Sequence, residues 1–286
     1  MRPTSFVVYL QIDELIPARG RAISGLDEFM ARLEHLGIPC VWLTNRTRLQ
    51  IDDARRKTGH NHPFIAEDGC GVYLPEDYFH LRPQAARGDK RKPLPTIRMG
   101  RFTCLPVAEP QPAAAQALES LAGEAGVSVV ALRSLPPREL AQNMGLQPRE
   151  ADLAKQRDFD ELFFFAGASA AQIAGFQTTA KENGAQVRPR EAWWSFAMGA
   201  STSRCIRALS DLYDRALHSH AKSVGIGTAR ERDFLAHCDR GILLASPADM
   251  EKDSTPSRGS GAKVLAVPLE NPDKWEEIAA YLTGSR

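Results

Sequence analysis

The chain has 286 residues, with 36 Lys plus Arg against 35 Asp plus Glu and a formal charge of +1, enough length for one large or two medium domains with their own cores. That balance supplies no electrostatic reason to expect nucleic acid or an anionic membrane as a partner. No stretch approaches the roughly 18 uninterrupted apolar residues of a membrane helix, and the short apolar run after Met1-Arg2-Pro3-Thr4-Ser5 lacks the form of a signal peptide, so a soluble cytoplasmic protein is expected.

Phe6-Val7-Val8-Tyr9-Leu10 is rich in β-branched and aromatic side chains and ends in Gln11-Ile12-Asp13-Glu14. It reads as a buried parallel strand whose carboxyl end, where open α/β sheets bind ligands, presents Gln11 and Asp13. A helix follows, with Ser24 as its expected cap, Leu26, Phe29, Met30, Leu33 and Leu36 on one face, and Gly37 as its stop. Cys40-Val41-Trp42-Leu43 is then a second buried strand, closing a βαβ unit that ends in Thr44-Asn45-Arg46-Thr47. Phe64 to Pro75 reads as two short strands around a glycine turn, and the Arg-, Lys- and Pro-rich stretch from about 83 to 95 as an exposed connection and domain boundary.

From 96 to 191 strand-like and helix-like segments alternate: strands at Ile97–Leu105, Val127–Leu132, Leu162–Ala166 and Ala185–Arg188, helices at Ala113–Ala125 and Ser169–Asn183. This predicts an inserted α/β domain over 83–191, flanked by a main domain formed from 1–82 and 192–286. The chain is expected to return to the main domain near Trp193-Trp194, whose side chains fall on opposite strand faces. A helix opened by Ser201, Thr202 and Ser203, a buried strand over Lys222–Gly227, a polar loop over 249–261, a strand over Lys263–Pro268 and a closing helix through Trp275, Ile278 and Leu282 complete the pattern. Cys40, Cys70, Cys104, Cys205 and Cys238 are scattered, odd in number and without a Cys-x-x-Cys pair, so reduced buried thiols are expected.

The first strand resembles the opening motif of the haloacid dehalogenase superfamily, Asp-x-Asp-x-Thr, and within its class IIB the mannosyl-3-phosphoglycerate phosphatases, whose strand reads like Leu-Asp-Ile-Asp-Lys-Thr-Leu-Ile-Pro where this chain has Leu10-Gln11-Ile12-Asp13-Glu14-Leu15-Ile16-Pro17. Glu67-Asp68-Gly69-Cys70-Gly71-Val72-Tyr73 is similar to their Glu-Asn-Gly-Ala hairpin. Glu139-Leu140-Ala141 through Phe163 is similar to the run Glu-Leu-Ala-x-x-Thr-Gly-Leu and Arg-Glu-Tyr-x-Glu-Pro-Phe of their cap.

The resemblance implies a Rossmann-like parallel core with an inserted α/β cap of the C2B type. It implies that Gln11 stands at the nucleophile position and Asp13 at the second acidic position; in a rival register Asp13 is the nucleophile. Thr44 would be the phosphate-holding hydroxyl and Thr202 the position of the charge-neutralising lysine, with Arg204 as the nearest cation. Arg157 and Glu161 would face the substrate from the cap. Asp13, Thr228, Glu231 and Arg232 fall on the metal-binding positions.

A neutral amide cannot become an aspartyl phosphate, and Mg²⁺ prefers one or two carboxylates, which Thr228 and Arg232 do not supply. The expectation is therefore a catalytically impaired relative that binds a sugar phosphate or a protein partner and holds no metal, with Arg232 paired to Asp13 in the metal's place. The alternative is an active Mg²⁺-dependent phosphomonoesterase on mannosyl-3-phosphoglycerate or a related sugar phosphate.

Overall fold

The computed structural model describes residues 6–17, 22–79, 95–190, 193–246, 249 and 263–283. The strands are β1 (Phe6–Gln11), β2 (Cys40–Leu43), β3 (Phe64–Ala66), β4 (Gly71–Pro75), β5 (Ile97–Met99), β6 (Phe102–Pro106), β7 (Val129–Ala131), β8 (Glu161–Phe165), β9 (Ala185–Pro189), β10 (Trp194–Met198), β11 (Lys222–Thr228), β12 (Arg240–Ala245) and β13 (Lys263–Pro268). The helices are α1 (Leu26–His35), α2 (Arg48–Thr58), α3 (Gln111–Glu124), α4 (Pro137–Asn143), α5 (Pro148–Lys155), α6 (Ala170–Glu182), α7 (Thr202–Leu217) and α8 (Lys274–Thr283). Among the described residues no helix is long and apolar enough to cross a membrane.

A nine-stranded sheet runs β13-β12-β11-β1-β2-β3-β4-β6-β5, and a four-stranded sheet runs β7-β8-β10-β9. In the large sheet the six strands from β13 to β3 are parallel, and β4, β6 and β5 continue it antiparallel. β1 explains why both faces must be covered. Its even residues Val8 and Leu10 pack with Leu26, Phe29 and Leu33 of α1 and Trp275, Ile278 and Leu282 of α8. Its odd residues Val7 and Tyr9 pack with Cys205, Ile206, Leu209 and Tyr213 of α7. A strand buried on both sides is apolar at every position rather than alternating. All five cysteines are buried and unbridged.

The chain moves from β1 through β2 to β3 on one side, then returns to lay β11, β12 and β13 on the other. The carboxyl end of β1, where Gln11 pairs with Leu43, is therefore the switch point at which an open α/β sheet leaves a crevice.

α1 is not capped by Ser24. Its cap is Gly25 at φ 81, and a Cβ there would approach Trp275 Cδ1 to 2.7 Å. The Ser24 carbonyl instead accepts from Trp275 Nε1 at 2.9 Å, so the residue ties the two ends of the chain together. β12, which the sequence reading passed over, lies between β11 and β13.

The small sheet is antiparallel throughout. Phe163, Phe165, Trp194 and Phe196 pack on one face with Leu118 of α3 and Phe176 of α6. Leu162 and Trp193 face the other way, beside Leu140 of α4 and Ala151 of α5.

The strand pairing differs from the boundaries expected at 83 and 191. Residues 97–106 extend the large sheet, because Cys104 pairs with Tyr73 and Phe102 with Pro75, which puts Phe102 and Cys104 in the main core. At the far end Trp194–Met198 pairs with β8 and β9, so Trp194 belongs to the small sheet, and Trp193, just before the strand, packs against the same unit. The expected connection over 83–94 and most of the loop over 249–261 lie outside the described residues.

Candidate functional site

Gln11 closes β1 and is buried, and Asp13 sits on the turn two residues later. Asp13 Oδ2 accepts from Gln11 Nε2 at 2.7 Å and from the Asn45 N–H at 2.8 Å, while its Oδ1 accepts from Thr44 Oγ1. The amide oxygen of Gln11 accepts in turn from the Asp13 N–H at 3.1 Å. Arg46 Nε lies 3.5 Å from Asp13 Oδ1, and the same guanidinium donates to the Ile16 carbonyl. Burial pushes the Asp13 carboxyl above its ordinary range, with Arg46, Thr44 and Asn45 pulling the other way.

The cation facing Asp13 is thus Arg46, on the loop after β2, and not Arg232. Phe234 and Leu235 of the 3₁₀ turn after β11 are buried in the core, which turns Arg232 outward to an exposed position. The side chain of Glu231 lies outside the described residues. Thr228 ends β11 with its hydroxyl buried and without a hydrogen-bond partner.

The β3–β4 turn supplies the next wall. Glu67, Asp68 and Gly69 all take left-handed backbone angles, at φ 50, 57 and 90. A Cβ on Gly69 would come within 2.4 Å of the Thr202 backbone nitrogen, so glycine is what lets this turn touch the start of α7. Thr202 Oγ1 donates to the Asp68 carbonyl at 3.2 Å. Asp68 itself is ion-paired with Arg190 from the small-sheet side.

Between the two sheets lies a cavity of about 630 Å³ lined by Asp13, Glu14, Asn45, Arg46, Asp68 and Arg230 on one side and by Met144, Leu146, Arg157, Arg190 and Trp193 on the other. A second cavity of about 540 Å³ shares Asp68, Arg190 and Arg230 with it and reaches Gln11, Thr44 and Thr202. Arg157 is buried against Asp160 and donates to the Asn45 carbonyl at 2.7 Å, so it joins the cap to the loop after β2.

Glu161 is not on the cavity wall. It is buried within the small-sheet unit, where it accepts from Gln111 and pairs with Arg133 at 3.0 Å, and burial pushes its carboxyl up to about 7. Arg204 is exposed on the first turn of α7 and lines neither cavity. Sequence reading named neither Arg190 and Arg230 nor Asp68 as site residues. The pattern Arg188-Pro189-Arg190 at a strand end was the available signal.

Mg²⁺ takes hard oxygen ligands at short range. Of the metal positions whose side chains are described, Asp13 keeps a carboxylate while Thr228 and Arg232 do not, and each Asp13 oxygen already faces two donors. A guanidinium beside that carboxylate adds repulsion toward a divalent cation. Among the described residues no group of three or more His, Cys, Asp or Glu is arranged to hold a metal ion. This donor set does not fit Mg²⁺.

No protein-family model matches the chain. It is 21% identical over 219 residues to a glucosyl-3-phosphoglycerate/mannosyl-3-phosphoglycerate phosphatase of Methanococcoides burtonii, covering 75% of each chain. It is 23% identical over 231 residues to a mannosyl-3-phosphoglycerate phosphatase of Pyrococcus furiosus, covering 80% of this chain and 85% of that one. A solved phosphatase of the haloalkanoate dehalogenase (HAD) superfamily from Bacteroides thetaiotaomicron superposes with a TM-score of 0.61 at 15% identity, covering 100% of this chain and 97% of the other. The fold is that of the HAD phosphatases, a parallel-dominated α/β core with an inserted cap.

Proposed function

We propose that this chain, built on the HAD phosphatase fold and similar to the mannosyl-3-phosphoglycerate phosphatases, binds a phosphorylated sugar in the cleft between its two sheets and does not hydrolyse it. The observation that carries this reading is Gln11. It ends β1 at the switch point of the sheet, and both polar atoms of its amide are committed to Asp13. An amide has no anionic oxygen with which to attack phosphorus. Nucleophile, metal and charge stabiliser act as a unit, so losing one costs orders of magnitude in rate, and here Gln11, Thr202 and Thr228 change all three.

The ligand class is supported by the concave form and size of the cleft, typical of small-molecule sites rather than of protein-binding surfaces. Four arginines face it, a residue suited to carboxylate and phosphate. The relatives are named for glycosyl derivatives of 3-phosphoglycerate, which carry a sugar, a phosphate and a carboxylate.

The test pairs calorimetry with a phosphate-release assay on mannosyl-3-phosphoglycerate and glucosyl-3-phosphoglycerate, with Mg²⁺ present. Saturable binding without turnover is expected. Gln11→Asp alone is expected to stay inactive, because Thr202 and Thr228 are unchanged. Mg²⁺-dependent turnover by the wild-type chain would overturn the reading in favour of an active phosphomonoesterase.

A further inference from the structure

The donors gathered around Asp13 come from separate segments: the Gln11 amide at the end of β1, and the Thr44 hydroxyl, the Asn45 N–H and the Arg46 guanidinium on the loop after β2. Thr44 is held in the donating direction, because its oxygen also accepts from the Arg46 N–H at 3.1 Å. A hydroxyl, a backbone N–H, an amide and a guanidinium converging on one point are what a phosphoryl group needs to satisfy its oxygens. In this structure they are satisfied by a side chain of the same molecule. A second anion cannot share them, since two like charges at about 4 Å in a partly buried site repel strongly.

We propose that Asp13 is an internal occupant of the phosphate-binding donors, and that the ligand's phosphate enters by displacing the Asp13 carboxylate. This deepens the reading of the cleft as a phosphorylated-sugar site and rests on it. Displacement selects for ligand charge. A neutral sugar offers nothing to replace the carboxylate, whereas a phosphomonoester dianion presents more acceptor oxygens than Asp13 does and restores every donor's partner. Asp13 therefore sets the affinity for the charged group without contacting the bound sugar.

Inorganic phosphate titrated into wild type, Asp13→Asn and Asp13→Glu by calorimetry separates this role from a structural one. Asp13→Asn keeps the shape but turns an NH₂ group toward a donor, which loosens its hold, and phosphate binding at least tenfold tighter than wild type is expected. Asp13→Glu keeps the competing charge and is expected to stay within threefold of wild type. If Asp13→Asn melts below the assay temperature, Asp13→Ser, which vacates the donors, is expected to show the same gain. Equal or weaker phosphate binding by the folded Asn or Ser variant overturns the proposal. If wild type binds mannosyl-3-phosphoglycerate and Asp13→Asn brings no gain, displacement fails while the sugar-phosphate reading stands. If Asp13→Asn gains phosphate and no protein binds the sugar phosphate, displacement stands and that reading fails.

Discussion

Replacing Glu67 by alanine should separate the cap from the core more than any change on the cavity wall. Glu67 is wholly buried on the β3–β4 turn of the large sheet, and its carboxyl oxygens accept from the backbone N–H groups of Asp158, Phe159 and Asp160 at 3.0, 2.8 and 3.1 Å. Those residues lead into β8 of the small sheet, so one side chain terminates three main-chain donors of the other unit. A buried donor left without a partner costs about 1–3 kcal/mol. With three donors exposed at once and partial rescue by water, Glu67→Ala should lose about 4 kcal/mol, a large share of an ordinary domain's stability. Urea unfolding followed by tryptophan fluorescence reads the loss. Hydrogen exchange at 158–160 should rise by at least tenfold while exchange in β1 and β11 rises less. A loss below about 1 kcal/mol, with unchanged protection at 158–160, would refute the reasoning.

The same group carries a pH signature. Burial, with Asp160 close by, pushes the Glu67 carboxyl up to about 8, so between the ordinary glutamate range and that value the folded state holds a proton that the unfolded chain has released. Stability is expected to fall as pH rises from about 4.5 to 8, and Glu67→Gln should flatten that slope. His60 acts in the opposite sense. Its burial, stacked on Trp42 with Nε2 2.7 Å from the Cys40 carbonyl, lowers its pKa to about 3. The unfolded chain therefore binds the proton first, and stability should be lost as pH falls from about 6.5 toward 3, with His60→Phe removing that acid sensitivity in the same unfolding assay. Gly69→Ala combines a left-handed φ of 90 with a Cβ only 2.4 Å from the Thr202 nitrogen, and a loss of at least about 2 kcal/mol is expected in thermal melts.

The centre of this fold was readable because β1, β2 and β11 are buried on both faces, and such strands announce themselves as apolar runs. The cap edges were not. Residues 97–106 and 194–198 are both strands of mixed burial, and nothing in Phe102-Thr103-Cys104 says which sheet it joins; that is decided by its pairing with β4. In the candidate site, the meeting of Gln11, Asp13 and Thr44 was legible because the βαβ pattern sets the carboxyl ends of β1 and β2 side by side. The partner of Asp13 was harder to read. Arg46 and Arg232 are equally polar in sequence, and the choice between them depends on which way a 3₁₀ turn rolls once Phe234 and Leu235 are buried. Glu161 shows the same limit, since alternation along β8 decides whether a side chain meets the cleft or the cap interior.

The pairing of Phe6 with Lys222 and of Val8 with Val224 has a consequence for how this chain comes into being. The central strand of the large sheet waits for a neighbour more than 200 residues downstream, and at roughly 5–20 residues per second of synthesis that is at least ten seconds with one strand edge open. During that time β2 can pair with one side of β1, and the strands of the small sheet, contiguous in sequence, can pair among themselves. The apolar edge that β11 will cover stays available to other chains, the circumstance in which edge-to-edge aggregation begins. Assembly of this protein is thus gated by its last quarter, from β11 onward, and nascent chains stalled before β11 should be the species that chaperones hold.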